Sequence, residues 1–317
     1  MVRLWGTAVL AAMLAASPSA GAEEAQPIFV TLGTNLGPIP NASRAESANM
    51  LRYGESVLLI DAGDGVAWQL ARAGLPLEEI DAVLISHLHL DHTGGLFAFL
   101  GQRYQAGRTE TVTIYGPPGT KRMVDALVEA VGPFSDMMGG LVTFWVGPPA
   151  DMVEVVEIRD GATFAISDID ITAAVNSHYS FEPGSEEAES FLSFSYRFDM
   201  PGRSIVYTGD TGPSEAVEKL AAGADLFVSE IMDPDIALAE LKEKLSLPFF
   251  AWWPVEEHFR KEHLSPREVG QLATRAGVGK LVLTHNALPD ADIPAARKTI
   301  ADEFDGEIVF ANDLDRF

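Results

Sequence analysis

Three histidines and one aspartate fall within six positions, in the run Ser86-His87-Leu88-His89-Leu90-Asp91-His92. Packing alone gives little reason for such a cluster, because each buried imidazole needs a polar partner. Metal ligation does give a reason. The stretch from Ala82 to Ser86 reads as an apolar strand, and strand side chains alternate with period two, so His87 and His89 can share one ion. Asp91 suits the cap of a helix beginning near Thr93 or Gly94, and the turn there would swing Asp91 and His92 toward a second ion. Imidazole and carboxylate donors suit zinc, and also manganese, iron or cobalt. Two divalent ions ~3.5–4 Å apart acidify a water held between them and polarise the group under attack. Such a pair hydrolyses esters, lactones, amides, phosphodiesters or sulfate esters.

The elements around the run repeat one arrangement. Strands are predicted at Ile28–Leu32, Ser56–Asp61, Ala82–Ser86 and Val112–Tyr115, with helices at Val66–Ala73 and from about Thr120 to Ala130. In the second half, strands are predicted at Ile169–Val175, Ser193–Phe198, Ser204–Thr208, Leu226–Ser229 and Lys280–Thr284, and a helix at Pro266–Ala276. Alternating strands and helices give an α/β layered domain, with no linker or repeat to divide residues 23–317. Five of these strands end at a metal-ligating or acidic residue: before His87, and at His178, Asp210, Glu230 and His285. Ligands of layered α/β folds gather in the crevice outside the strand ends, so the chain aims these groups at one place.

Composition narrows the partners. The chain has 317 residues, 47% hydrophobic, with no cysteine and a formal net charge of −24. Stability therefore rests on a large core and bound metal rather than on disulfides. An acidic surface repels phosphate backbones, so nucleic acid is not expected as a partner. Met1-Val2-Arg3, an apolar run from Leu4 to Ala16 and the small residues Ala20-Gly21-Ala22 have the layout of a secretory signal peptide cleaved after Ala22. The competing reading, a retained anchor, needs ~20 apolar residues, more than this run supplies. The expectation is a periplasmic or secreted protein with no membrane span after cleavage.

The run His87-x-His89-x-Asp91-His92 resembles the signature of the metallo-β-lactamase superfamily, and the resemblance extends over almost all of residues 23–317. Within it the chain is most similar to the ribonuclease Z and arylsulfatase-like branch. Thr31-Leu32-Gly33-Thr34 with Gly37-Pro38-Ile39-Pro40, then Tyr207-Thr208-Gly209-Asp210-Thr211, then Leu283-Thr284-His285 carry that similarity. The resemblance implies an αββα sandwich of two similar halves. It also implies that His87, His89 and His178 hold a first ion, that Asp91, His92 and His285 hold a second, and that Asp210 bridges both. The implied cofactor is a pair of divalent metal ions, zinc first (Zn2+), with Mn2+ or Fe2+ as substitutes. Iron-containing redox members have Glu where this chain has His89, which argues against oxygen or nitric oxide reduction. Asp61 reads as a carboxylate that orients a ligand imidazole, with a turn-forming Asp before Gly as the competing reading. His263 is similar to the branch's leaving-group histidine and is the expected general acid, supported by Glu230; His258 is given no role.

Gly116-Pro117-Pro118-Gly119-Thr120-Lys121 resembles a phosphate-binding loop but lacks the Gly-Lys-Ser/Thr ending, and reads as a turn. Phe249, Phe250, Trp252 and Trp253, set between Pro248 and Pro254, read as a loop forming a lid or wall beside the metals, with a homodimer contact or local core as competing readings. The leading function is an exported dinuclear-metal hydrolase of an ester-type bond (sulfate ester, phosphodiester or lactone) in a small, partly apolar molecule. One alternative is a β-lactamase, which Asp210 disfavours because the classical enzymes lack a bridging aspartate. The other is a non-catalytic metal-binding protein, which the complete ligand set disfavours.

Overall fold

A computed structural model describes residues 26–108, 110–137 and 141–317. The leader-like residues 1–22 lie outside the described residues. Among the described residues, fourteen strands form two sheets of seven. The first contains β1 (Ile28–Gly33), β2 (Ala48–Tyr53), β3 (Ser56–Ile60), β4 (Ala82–Leu84), β5 (Val112–Gly116) and β6 (Val153–Glu157). The second contains β7 (Thr163–Ile166), β8 (Ile169–Val175), β9 (Phe194–Met200), β10 (Arg203–Tyr207), β11 (Leu226–Ile231), β12 (Lys280–Asn286) and β13 (Glu307–Phe310). The last strand, β14 (Asp315–Arg316), returns to pair with β1 at the edge of the first sheet. Spatial order runs β14-β1-β2-β3-β4-β5-β6 and β13-β12-β11-β10-β9-β8-β7.

In chain order the helices are α1 (Val66–Arg72), α2 (Leu90–Thr93), α3 (Leu96–Gln105), α4 (Thr120–Met137), α5 (Leu141–Val146), α6 (Glu186–Ser190), α7 (Glu215–Leu220), α8 (Pro234–Lys244), α9 (Phe249–Lys261), α10 (Pro266–Ala276) and α11 (Ile293–Ala301). Central strands are apolar on both faces because both faces are covered. Phe29, Leu51 and Leu58 of the first sheet meet Phe194, Tyr196, Phe198 and Ile205 of the second in the shared core. The outer face of the first sheet buries Val30, Leu59 and Val83 against Leu70, Phe99 and Val124 of α1, α3 and α4. The outer face of the second buries Phe227 and Leu281 against Val217, Leu272 and Ile300 of α7, α10 and α11. This is the expected αββα sandwich.

Several local expectations change. Strand β4 stops at Leu84, so His87 and His89 sit in the loop beyond it rather than on the strand. Asp91 does not cap a helix; His89 precedes α2, and Asp91 lies in its first turn. Helix α4 continues past Ala130 and through Pro133. The aromatic segment expected as a loop opens α9, which carries Pro254 inside it. Pro254 falls in the helix's second turn, past the first turn where proline is tolerated, so α9 lacks the bond from that position to the Phe250 carbonyl.

Candidate metal centre and active site

The His87–His92 loop is clamped between the sheets. The Ile85 N–H donates to the Tyr115 carbonyl, the Tyr196 hydroxyl donates to the Ile85 carbonyl at 2.8 Å, and the Phe194 N–H donates to the Ser86 carbonyl at 2.9 Å. Asp61, fully buried after β3, is the hub beneath it. Its carboxylate accepts from Ser86 N at 2.7 Å, and from Ser86 Oγ and the Tyr207 hydroxyl at 2.8 Å. It also bonds His92 Nδ1 at 2.8 Å. A buried carboxylate with four partners is an anchor, which fixes the ring and leaves Nε2 of His92 to face inward.

The sequence-predicted ligands converge into two clusters that share Asp210. In the first, donor atoms of His87, His89, His178 and Asp210 all lie within 4.8 Å of one another; in the second, those of Asp91, His92, Asp210 and His285 do. Asp210 follows β10, His178 follows β8, and His285 stands near the end of β12. His92 Nε2 is 3.2 Å from Asp210 Oδ1, and His285 Nε2 is 3.1 Å from Asp210 Oδ2. Asp91 Oδ2 is 3.6 Å from His285 Nε2 and 3.7 Å from His92 Nε2. His178 Nε2 is 3.2 Å from His89 Nδ1.

The outward Nδ1 atoms of His87, His178 and His285 each have a protein partner. His285 Nδ1 bonds the Asn35 carbonyl at 2.9 Å, His178 Nδ1 the Glu262 carbonyl at 3.1 Å, and His87 Nδ1 the Ser86 hydroxyl at 3.1 Å. With Nδ1–H donated outward, the Nε2 lone pair points into the cluster, which is the tautomer that ligation requires. His89 is reversed and presents Nδ1.

The inward atoms also show what the protein alone does not satisfy. His87 Nε2 and Asp210 Oδ1 are buried without a well-formed hydrogen bond. Buried polar atoms are rarely left so, because the desolvation cost is about 1–3 kcal/mol each. Two four-donor sets of imidazole and carboxylate, with orphaned atoms aimed at their centres, fit divalent cations such as zinc.

The electrostatics divide the rings. Burial pulls His92 and His285 down, yet Asp210 outweighs it and holds both above the usual histidine range, so a cation would take the place of a proton there. Burial and the neighbouring imidazoles of His92 and His178 hold His87 well below the usual histidine range, so its lone pair is free. Burial pushes the Asp210 carboxyl up, yet His285 and His92 outweigh it and hold it well below the usual range. Asp91 is lowered in the same way by His92 and His285 against its own burial.

Two positions of the site, the orienting Asp61 and the ligand His285, are held in strained backbone. Asp61 has φ 58° and His285 has φ 44°. Neither is glycine, and conformations of this kind cost on the order of 1–3 kcal/mol, sustained only where the surroundings over-determine them. Gly37 has the opposite requirement. A Cβ there would lie 2.4 Å from Asp91 Cγ and Oδ2, and the Gly37 N–H donates to Oδ2 at 3.0 Å. Only glycine lets the Gly37-Pro38 turn press against that ligand.

His263 follows α9 and lies beside the first cluster, its ring 5.0 Å from that of His178. Its Nδ1 meets Glu230 Oε2 at 2.6 Å, and both side chains are buried. The other Glu230 oxygen accepts from Thr211 N at 2.5 Å. Burial lowers His263 to about 3 and raises Glu230 well above the usual carboxyl range. Burial disfavours charge on both members of the pair.

Residues 57–286 match the β-lactamase superfamily domain. Ribonuclease Z of Mycolicibacterium gilvum (strain PYR-GCK) is 32% identical over 297 residues, 91% of this chain and 95% of its own length. Among solved structures, the metallo-β-lactamase fold protein YhfI from Bacillus subtilis matches with TM-score 0.65 and 21% identity, over 92% of this chain and 98% of its own. Human tRNase Z, short form, matches with TM-score 0.60 and 20% identity, over 92% and 98%. The chain belongs to the metallo-β-lactamase superfamily, in its ribonuclease Z branch. It is a metal-dependent hydrolase.

In this ribonuclease Z-branch chain both clusters open onto a cavity of about 680 Å³, with His89, Asp91, Asp210, His263 and His285 at its floor. One wall comes from the end of α8 and the loop after it, Leu241, Leu245 and Leu247, and another from Pro254, Val255 and Phe259 of α9. The aromatics expected to form that wall do not line it. Phe249, Phe250 and Trp253 are 94%, 79% and 71% exposed, while Trp252 packs with Leu238 and Leu241. The second turn of α9 onward, not its aromatic start, faces the site.

His258, given no role on sequence grounds, is in the cavity. Its Nδ1 pairs with Glu262 Oε2, and Glu262 Oε1 accepts from Ser180 N at 3.1 Å and from the Ser180 hydroxyl. The i,i+4 spacing of His258 and Glu262 is the signal that would have revealed the pair, had α9 been read as a helix.

Proposed function

We propose that this chain is an exported hydrolase that uses two divalent ions, zinc before manganese or iron, to cleave an ester-type bond in a small, partly apolar substrate. A phosphodiester leads among the bond types, because the curated relatives are named Ribonuclease Z; sulfate esters and lactones follow. The observation that carries the small-substrate reading is the cavity wall. Leu36, Leu90, Leu241, Leu245, Val255 and Phe259 line it, and among the described residues no lysine or arginine does. An RNA backbone calls for cations beside the scissile bond, whereas these side chains suit an apolar group next to it. The basic start and apolar run of residues 1–22 support export, with residues 23–317 as the mature hydrolase.

His87, His89, His178 and Asp210 would hold one ion, and Asp91, His92, His285 and Asp210 the other. When bound, the pair supplies an acidified water and neutralises charge that develops on the scissile group. The chain's own residues do the rest. Asp61 fixes the His92 ring, and the Glu262 carbonyl fixes His178. The apolar wall excludes bulk water from the reacting bond. His263 stands where a leaving group would depart and gives it the Nε2 proton. The Glu230 proton then moves onto Nδ1, so the imidazole remains neutral and Glu230 becomes a carboxylate.

A second reading, RNA 3′-end processing, is favoured by the relatives' name and opposed by the cavity wall and the −24 charge. The deciding experiment gives the zinc- or manganese-loaded protein nitrophenyl sulfate, bis-nitrophenyl phosphate, an acyl homoserine lactone, nitrocefin and a precursor tRNA. Bis-nitrophenyl phosphate is expected to turn over and nitrocefin is not. Turnover of the precursor tRNA with a higher kcat/KM than every small substrate would sink the small-substrate reading.

A further inference from the structure

The two clusters do not exhaust the metal-ligating groups of the cavity. His178, His258 and His263 each offer a ring nitrogen, and these three atoms lie within 4.8 Å of one another. The His258 and His263 rings are 5.1 Å apart and nearly perpendicular, at 86°. Neither residue belongs to the two four-donor sets.

What makes the pair a site is how its rings are held. Glu262 Oε2 takes Nδ1 of His258, and Glu230 Oε2 takes Nδ1 of His263 at 2.6 Å. Asp61 holds His92 in the same way, with an acidic side chain behind Nδ1 and Nε2 in front. Among the described residues, no hydrogen bond is made to Nε2 of His258 or of His263. The Glu262 carboxylate behind His258 supplies negative charge that a divalent cation needs in a partly buried place, and Glu230 adds a second once its proton passes to Nδ1 of His263.

We propose that His258 and His263 hold a third divalent cation, and that this ion inhibits the enzyme. The inference rests on the dinuclear reading above, in which His178 Nε2 belongs to the first cluster. The third ion then has two imidazoles from the protein and water for its remaining positions, so it binds more weakly than the first two. His263 Nε2 can hold either the ion or the proton. Binding displaces that proton to solvent, and the leaving group loses its donor. Excess zinc therefore acts on the step that His263 serves, and spares substrates whose leaving groups need no proton.

Zinc titration of the metal-depleted protein, followed by calorimetry and elemental analysis, tests this without relying on turnover. The wild type is expected to take up three equivalents, two tight and one weak. His258→Ala is expected to keep the tight pair and lose the weak one. Filling the weak site should lower the rate on a poor-leaving-group phosphodiester on the order of 10²-fold or more, the usual worth of a general acid. His258→Ala should escape that inhibition. Two equivalents in the wild type up to millimolar zinc overturn the third site and leave the dinuclear reading intact. Fewer than two overturn both. A third equivalent that persists in His258→Ala, or in His258→Gln where the alanine variant does not fold, overturns the assignment to His258.

Discussion

Replacing His263 by alanine should separate substrates by their leaving groups. The ring is buried, its Nδ1 is 2.6 Å from Glu230 Oε2, and its other nitrogen faces the cavity beside the first cluster. A positioned general acid contributes about 10²–10⁴-fold, or roughly 3–5 kcal/mol of barrier. That contribution is needed only where the departing oxygen is basic. With an alkyl phosphodiester, His263→Ala should therefore lose 10²- to 10⁴-fold in kcat, whereas with bis-nitrophenyl phosphate it should fall only a few-fold. Glu230→Gln keeps a hydrogen bond to Nδ1 but carries no transferable proton, so a loss of about 10- to 100-fold is expected. The double variant should be no worse than His263→Ala alone, because residues that act as a unit are not additive. The assay is kcat across a series of aryl and alkyl leaving groups, with metal content measured on each variant. A leaving-group slope unchanged in His263→Ala, with both ions retained, would refute the assignment of His263 as proton donor.

Chelation should remove activity and lower the melting temperature by several degrees, since ligands at 100 times Kd contribute about 2.7 kcal/mol to the folded state; calorimetry with and without EDTA reads this directly. Asp61→Asn keeps a residue tolerant of the left-handed backbone at φ 58°, so it isolates the charge behind His92. Its metal affinity should fall about 10- to 100-fold with the fold retained by circular dichroism, and unchanged affinity would mean Asp61 serves the turn alone. Gly37→Ala should push Asp91 aside, because the new Cβ would lie 2.4 Å from its carboxyl carbon. Elemental analysis should then find the Asp91 cluster depleted, with about one ion per chain where the parent has two; two ions in the variant would show that the turn yields instead.

The parts of this molecule that were readable in the sequence are those whose chemistry is local. His87, His89, Asp91 and His92 announce ligation by type and spacing. Asp210 follows Gly209, whose positive φ ends the run of β10, and His285 comes near the end of the apolar strand β12. The interior strand β2 and the edge strands β7 and β13 were not readable, because their pairing partners, not their composition, make them strands. Helix α9 was hidden by its aromatic start and by Pro254, and with it went the His258–Glu262 pair, which exists only if those residues are one helical turn apart. The outward partners of the ligands were the least visible: a hydroxyl at Ser86 and carbonyls at Asn35 and Glu262, groups that every chain possesses in abundance.

The strained positions explain why those partners matter. Asp61 and His285 stand on opposite sheets, and each has positive φ with no glycine to mark it. The two meet through His92, which bonds Asp61 by Nδ1 at 2.8 Å and faces His285 by Nε2 at 3.4 Å. Two imidazole nitrogens set face to face gain little from each other without a proton or an ion between them. The strain on both sides is therefore sustained by the packed sandwich rather than by local attraction, and the site is preorganised by the fold before any ion arrives.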